Sequence, residues 1–554
     1  MEFDVTTLHG RRADQRWNRM VVGDVLERST WSHPDRDAIV GWEGAYGDPA
    51  FARVTYRQAD EAANRVAHAL LAAGLRRSDR VLLYCENSVE ALLTLFGIAK
   101  AGLVAVPVNP LLAPDVLTWA IDHVGATTAI VDAELWPKAE APFAAAGLSP
   151  VATITIGGDP VAGSPSFQEW IAGHPATEPD VEPRLHADDV WSVLFTSGTT
   201  AMPKASMATH TFSYLAAGSY VPSLTRGLRY EDELRLLTFL PVVYHCGHNS
   251  TVFPAFFAGG TSIIGRRPDP EQVAAAITAE RATALWAGAP QFLHRIADAA
   301  LAAPDRLDLT SLTVAMFSWG AMRPDLTEAV SAACGETELL EVFGQTESMS
   351  CFRFWPAREP DKHAESASGT NHVGLPNPLL GARIVDERGA SLRGVAGVPG
   401  EAVYRSPVVT AGYFRDEAAT REAFAGGWFH SGDSCAYLED GGQVMVDRYK
   451  DIVKSGGENV SSLRVEAVVA QHPAVARAAV VGIPHDHWGE IVTAVVEVVP
   501  GRELDADGLI AFCRERLAGY ETPKRVEVVE EMPQTVGGKV LKFKLRERFA
   551  AAPR

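Results

Sequence analysis

The sequence predicts an α/β protein with a large N-terminal part and a small, mobile α+β part at its C-terminal end, and three observations predict it. Helix-period and strand-period stretches alternate through about residue 380 without any fixed-period repeat. Around Val385–Tyr404 the pattern turns into short strands separated by Gly and Pro, the signature of a β subdomain. Asp447–Gly457 is then dense in charge and glycine, and a compact α+β segment follows it. That places a mobile boundary near Lys450. A chain of 554 residues, at roughly 150 residues per domain, has room for several such units.

The elements follow in order. Ala59, Ala62, Ala63, Val66, Ala67, Leu70 and Leu71 form one helical stripe, stopped by Gly74. Arg80–Cys85 reads as a buried strand, Ser88 as the cap of a helix running to Lys100, and Leu103–Val108 as the next strand. Alternation of this kind implies parallel strands covered on both faces. The apolar run Ala91–Val108 carries Lys100 and is better explained as a buried helix–strand unit than as a membrane span, which needs about 20 apolar residues.

Composition narrows the function. Fifty Lys and Arg against 69 Asp and Glu give a net charge of −19, which argues against nucleic acid as a partner. A small anion needs only a local positive site and stays allowed. The N-terminus has no apolar core of the signal-peptide kind. The six cysteines, Cys85, Cys246, Cys334, Cys351, Cys435 and Cys513, lie far apart with no Cys-x-x-Cys, as expected of a reduced, cytoplasmic protein.

The strongest local motif is Thr196-Ser197-Gly198-Thr199-Thr200-Ala201-Met202-Pro203-Lys204, entered from an apolar strand at Val190–Phe195. Hydroxyls and free N–H groups at a tight turn can wrap phosphate oxygens, and a lysine neutralises them. The spacing is not that of a Walker A loop. His245, Cys246 and His248 look metal-like but lack a second ligand pair, so a zinc site is not expected. Neither a G-x-S-x-G elbow nor a G-x-G-x-x-G fingerprint is present, which argues against an esterase or a simple dehydrogenase.

Four further segments follow in order: Phe343-Gly344-Gln345-Thr346-Glu347, Ser431-Gly432-Asp433, Asp447-Arg448-Tyr449-Lys450-Asp451, and Pro533-Gln534-Thr535-Val536-Gly537-Gly538-Lys539. Together with the hydroxyl-rich loop, the chain resembles the adenylate-forming superfamily of acyl- and aryl-CoA ligases, peptide-synthetase adenylation domains and luciferases, nearest in type to stand-alone acyl-CoA ligases. The resemblance implies a layered αβαβα N-terminal domain over residues 1–449, a β subdomain near 380–440, and a mobile C-terminal domain over 450–554. It also implies two half-reactions: a carboxylate attacks the α-phosphate of ATP, giving an acyl-adenylate, and after domain rotation a thiol displaces AMP.

The roles this implies fall on particular residues. Thr196, Ser197, Gly198, Thr199, Thr200 and Lys204 would hold the β- and γ-phosphates. Gly320, Ala321, Phe343, Gly344 and Gln345 would bind the nucleotide, with Phe343 against the adenine. Thr346 would touch the α-phosphate and Glu347 would hold Mg²⁺, a hard cation suited to a carboxylate. Asp433 would accept from the ribose hydroxyls, supported by Arg448. Lys539 would stabilise the charge developing between carboxylate and α-phosphate. Lys450 would be the hinge, and Ser455, Gly456 and Gly457 would line the coenzyme A channel. ATP or an acyl-adenylate, Mg²⁺ and coenzyme A are the cofactors implied; the partners are a small carboxylic acid or its adenylate, no nucleic acid, and a second copy of the chain if it dimerises as relatives do.

The chain departs from the family at several points. Ala201 and Ala205 stand where glycine is usual, and a methyl there could push the phosphates from their donors. That raises the alternative of a ligase that forms the thioester but adenylates poorly; a non-catalytic nucleotide- or acid-binding relic is the further alternative. A carrier-protein thiol in place of free coenzyme A stays open. Tyr244 occupies the place of a usual histidine, with His245 one position later, and Trp319 stands where glycine is usual. Tyr244, His245, Trp319 and the Trp286–Pro290 segment are therefore expected to form a remodelled acyl pocket. Arg464 replaces a usual glutamate, a surface change.

Overall fold

The computed structural model describes residues 20–196, 202–225, 233–366, 370–455, 458–485, 487–534 and 540–550. Their strands form three sheets. In the first the order is Pro150–Ile154, Thr128–Asp132, Arg80–Tyr84, Val104–Pro107, Val190–Phe195 and Ala205–Thr209. Every neighbouring pair is parallel except the last. The second sheet has a parallel centre, from Asp37–Gly41 through Thr261–Ile264, Arg235–Thr238, Ala284–Gly288 and Val314–Phe317 to Glu338–Gln345. It continues without a break into the antiparallel strands Ser348–Phe354, Asn371–Pro376, Gln443–Arg448, Phe429–Tyr437, Gly400–Arg405 and Gly381–Val385. The third, smaller sheet is built on a long hairpin, Val475–His485 against Gly489–Val498, covered by the helices Ser462–Val469 and Lys542–Ala550.

The expected elements form for the expected reasons. Ser88 caps the helix Val89–Lys100, its hydroxyl accepting from the Ala91 amide at 3.0 Å. All twelve residues of that helix are buried. Its one lysine is accommodated by two carboxylates: Lys100 Nζ lies 2.9 Å from Asp60 and 3.2 Å from Glu27. The helix packs so tightly on Tyr56–Ala72 that a Cβ on Gly97 would come within 2.4 Å of Val66. Among the described residues no helix is long and apolar enough to cross a membrane.

Two expectations are modified. The segment joining Val190–Phe195 to Ala205–Thr209 spans only residues 196–204, too short for a parallel crossover, which needs a dozen residues or more. The parallel sheet therefore ends in a hairpin. The antiparallel strands also begin at Ser348, ahead of the Gly- and Pro-rich region, and run on to Arg448. Of the cysteines, Cys85, Cys246, Cys334, Cys435 and Cys513 are free thiols.

Glu90 lies in the same buried helix, 1% exposed. Its Oε1 accepts from the Gly47 and Asp48 amides at 2.7 and 3.0 Å, yet burial dominates and pushes its carboxyl up to about 7. An acid whose folded value lies above its unfolded one destabilises the fold as pH rises through that interval. Glu90→Gln keeps the acceptor and removes the titration. It is expected to leave stability unchanged near pH 4 and to raise it at pH 8 by roughly 3 kcal/mol, read as a shift in urea midpoint.

Candidate active site

The turn Thr346–Glu347 is the two-residue tip between Glu338–Gln345 and Ser348–Phe354. It faces the hairpin that ends the first sheet, whose two sides are joined where the Thr196 amide donates to the Lys204 carbonyl at 2.8 Å. Between them lies a cavity of about 460 Å³. Thr196, Lys204, Thr346, Glu347, Arg448 and Lys450 line it, with Phe343, Gly344 and Gln345. Tyr244, His245, Trp286 and Trp319 line it as well.

The polar groups are held rather than free. The Tyr413 hydroxyl donates to Glu347 Oε1 at 3.1 Å, and Lys204 Nζ lies 4.7 Å from the centre of the Tyr413 ring. Burial and the adjoining carboxylate keep the Tyr413 phenol protonated, so it serves as the donor. The Thr410 amide donates to the Glu347 carbonyl at 2.6 Å. The same Thr410 hydroxyl accepts from Ser206 at 3.0 Å and lies 2.9 Å from the Met207 carbonyl. Thus the segment 409–414 ties the turn to the hairpin. Sequence reasoning missed Tyr413 and Thr410; the available signal was a glycine, Gly412, inside an aperiodic stretch.

Asp433 and Arg448 face each other on adjacent strands, Arg448 Nε 3.1 Å from Asp433 Oδ1. Asp433 is buried behind the cavity wall, and Arg448 reaches the cavity itself. Lys450 follows at once; its ammonium is held below the usual lysine range by burial and by Arg448. Around it the chain is gripped from both sides. The Tyr449 amide donates to the Gly432 carbonyl at 3.1 Å, while Arg546 of the last helix donates to the Lys450 carbonyl at 3.1 Å and pairs with Asp451 at 2.5 Å. Asp447 accepts from the Ser462 amide and hydroxyl at 2.6 and 2.7 Å.

Beside the Thr346–Glu347 turn, burial pushes His245 down to about 4, leaving a neutral ring whose Nδ1 donates to the Thr346 carbonyl at 3.4 Å. His245, Cys246 and His248 are not gathered as metal ligands; among the described residues only Asp24, Glu27 and Glu178 come close enough together to be so grouped. Gly320 and Ala321 follow Trp319 without lining the cavity, and Ser455 is buried in the small sheet. Ser197, Gly198, Thr199, Thr200, Ala201, Gly456, Gly457 and Lys539 lie outside the described residues.

Ala205 requires a correction. It is a strand residue, paired with Phe195 and 2% exposed, and its φ is not positive. Its methyl packs in the core with Val193 and neighbours of the first sheet. Nothing there calls for glycine, so Ala205 gives no reason to expect impaired adenylation.

Glu347 is the group that fits a divalent cation. It is a hard carboxylate at the cavity, one oxygen fixed by Tyr413 and, among the described residues, no hydrogen bond to the other.

AMP-binding enzymes match residues 26–414, and the C-terminal domain of AMP-binding enzymes matches residues 464–539. A long-chain-fatty-acid–CoA ligase of Mycobacterium tuberculosis is 33% identical, covering 92% of this chain and 95% of its own. A feruloyl-CoA synthase of an Amycolatopsis species is 32% identical, with 90% and 94% covered. The crystal structure of ATP-bound MatB from Rhodopseudomonas palustris superposes with a TM-score of 0.80 at 27% identity, covering 96% of this chain and 99% of that one.

Tyr413→Phe removes the donor that orients Glu347 and leaves the ring under Lys204. Groups that orient a metal ligand typically carry about 10–100-fold in metal affinity. The Mg²⁺ concentration needed for half-maximal nucleotide binding, measured by calorimetry, is expected to rise about tenfold or more on that scale. An unchanged Mg²⁺ requirement contradicts the role given to Tyr413.

Proposed function

The chain belongs to the AMP-binding enzymes of the adenylate-forming superfamily, and from that membership we propose that it is an acid–CoA ligase that makes a thioester through an acyl-adenylate. One observation carries the reading. Thr196, Lys204, Thr346, Glu347, Arg448 and Lys450, which lie far apart in the chain, converge on the cavity that aromatic residues close at its other wall.

In the first half-reaction an oxygen of the carboxylate bonds to the α-phosphorus, and the bond to the bridging oxygen of pyrophosphate breaks. Thr196, Lys204 and the loop they flank bind the triphosphate. Thr346 orients the α-phosphate. Glu347 would hold Mg²⁺, which when bound would neutralise charge at the phosphates. The Asp433–Arg448 pair takes the ribose, Arg448 being the member that reaches the cavity, and Phe343 takes the adenine face. Lys539 offsets the negative charge that builds up as the two anions approach.

In the second half-reaction the thiol of coenzyme A loses its proton, its sulfur bonds to the acyl carbon, and AMP leaves. We take residues 1–449 and 450–554 as the two domains, with the turn at Lys450 as the pivot. The pivot is gripped from the large part through Gly432 and from the small part through Arg546 and Ser462. Rotation about it would withdraw Lys539 and bring Ser455, Gly456 and Gly457 to the channel for the pantetheine arm. The named activities of the two relatives, a CoA ligase and a CoA synthase, support free coenzyme A as the acceptor.

Two assays separate the half-reactions: ATP–pyrophosphate exchange with a panel of carboxylic acids, and thioester formation from a supplied synthetic adenylate. Lys539→Ala is expected to lower exchange by about 10²–10³-fold, as for loss of one transition-state donor. Thioester formation from the adenylate should stay near the wild-type rate. Equal loss in both, with the fold intact, contradicts the assignment of Lys539. Absence of exchange in the unmodified protein with every acid contradicts the ligase reading.

A further inference from the structure

Trp319 is held in a conformation that its own side chain disfavours. Its φ is +69°, in the left-handed region, where a residue with a β-carbon is strained. It stands two residues beyond the strand Val314–Phe317, beside the end of the parallel strand Ala284–Gly288, where open α/β sheets present their ligand crevice. The indole lies against Trp286, ring centroids 5.6 Å apart and planes inclined at 50°. Room for it comes from Gly288, itself at φ +93°: a β-carbon there would stand 3.0 Å from the Trp319 ring. Although it packs on one side, Trp319 stays 40% exposed and lines the cavity. The backbone at both positions is thus bent out of the ordinary to set a flat, rigid aromatic wall.

The rest of the cavity says what that wall serves. Its charged lining residues, Lys204, Glu347, Arg448 and Lys450, belong to the wall assigned to the phosphates and ribose. Besides the indoles, Tyr244, Pro241 and the neutral His245 line the cavity, and no charged side chain beyond those four is among its described lining residues. Flat rings stack or meet edge to face with indole favourably, and a flexible alkyl chain gains no such contact.

We propose that Trp319, backed by Trp286 and admitted by Gly288, is a specificity-determining residue that selects short, planar aromatic monocarboxylic acids over long-chain aliphatic ones. The proposal rests on the ligase reading above, since it concerns the acyl end of the same cavity.

The test uses two non-hydrolysable adenylate mimics on the full chain, benzoyl- and dodecanoyl-sulfamoyl adenosine, with affinities measured by calorimetry. The wild-type protein is expected to bind the benzoyl mimic at least about tenfold more tightly, the scale on which one pocket contact discriminates. Trp319→Gly relieves the positive φ and opens the wall, so the preference should shrink by about tenfold or invert. Trp319→Ala opens the wall without relieving φ and should change the preference in the same direction, thermal unfolding serving as the fold control for both. Equal or tighter binding of the dodecanoyl mimic by the wild type, or an unchanged ratio in both variants, overturns the proposal while leaving the ligase reading in place. If neither mimic binds the wild type, the ligase reading fails and this inference falls with it.

Discussion

The strap formed by residues 409–414 is the constraint on which the site depends. On one side it bonds to the strand Ala205–Thr209: Ala411 donates to Met207, Met207 to Gly412, and Phe414 to Ala205, at 2.8–3.0 Å. On the other it meets the strand Ser348–Phe354 through the Ser348–Val409 bridge and the bond from Thr410 to Glu347. Thr410 is 3% exposed and its hydroxyl is satisfied from both sides, so its loss would strand buried partners. The hairpin Val190–Phe195/Ala205–Thr209 ends one sheet and the Thr346–Glu347 turn belongs to another. The strap turns two separately folded edges into one rigid jaw, and Tyr413 projects from it onto Glu347 and Lys204.

That arrangement also explains how charge is distributed in an acidic protein. With a net charge of −19, the chain cannot attract a polyphosphate by its overall field. It gathers Lys204, Arg448 and Lys450 at one wall of the cavity instead. Arg448 is balanced by Asp433 and Glu347 is oriented by a protonated phenol, so each charge has a partner before any ligand arrives. The rest of the described lining is neutral apart from Glu347, with His245 discharged by burial. A nucleotide and an uncharged acyl group would each meet the chemistry they need in one continuous space. At the proposed pivot, Asp451 bound to Arg546 ties the turn to the small part, whereas Asp447 bound to Ser462 joins the two parts, so a rotation about Lys450 would have to release that bond.

Local signals in the sequence reported this fold unevenly, for physical reasons. Runs such as Arg80–Cys85 and Leu103–Val108 are legible because strands buried on both faces must be apolar throughout. The cap at Ser88 is legible because it acts over three residues. The hydroxyl-rich motif stands out because backbone and hydroxyl chemistry restrict the residue types that a phosphate loop allows. The strap is not legible: its function lies in main-chain bonds to two distant strands, which impose no periodicity and little side-chain choice. Ala205 misleads for the converse reason, since its place in a motif suggests a loop while the hairpin makes it an ordinary strand position. Trp319 was conspicuous as a departure, yet its meaning depended on Gly288 and Trp286, which only the register of two parallel strands brings beside it.

The central claim is that one cavity between the two sheets receives the nucleotide that the reaction consumes. A crystal structure of the full chain with ATP and Mg²⁺ tests it most directly. The account predicts the triphosphate between the Thr196–Lys204 hairpin and Glu347, with the metal on that carboxylate. It further predicts the ribose at the Asp433–Arg448 pair and the adenine along Phe343, with the Trp319 wall left open for the acid. ATP bound outside this cavity, or within it with the triphosphate turned toward Trp286 and Trp319, would contradict it.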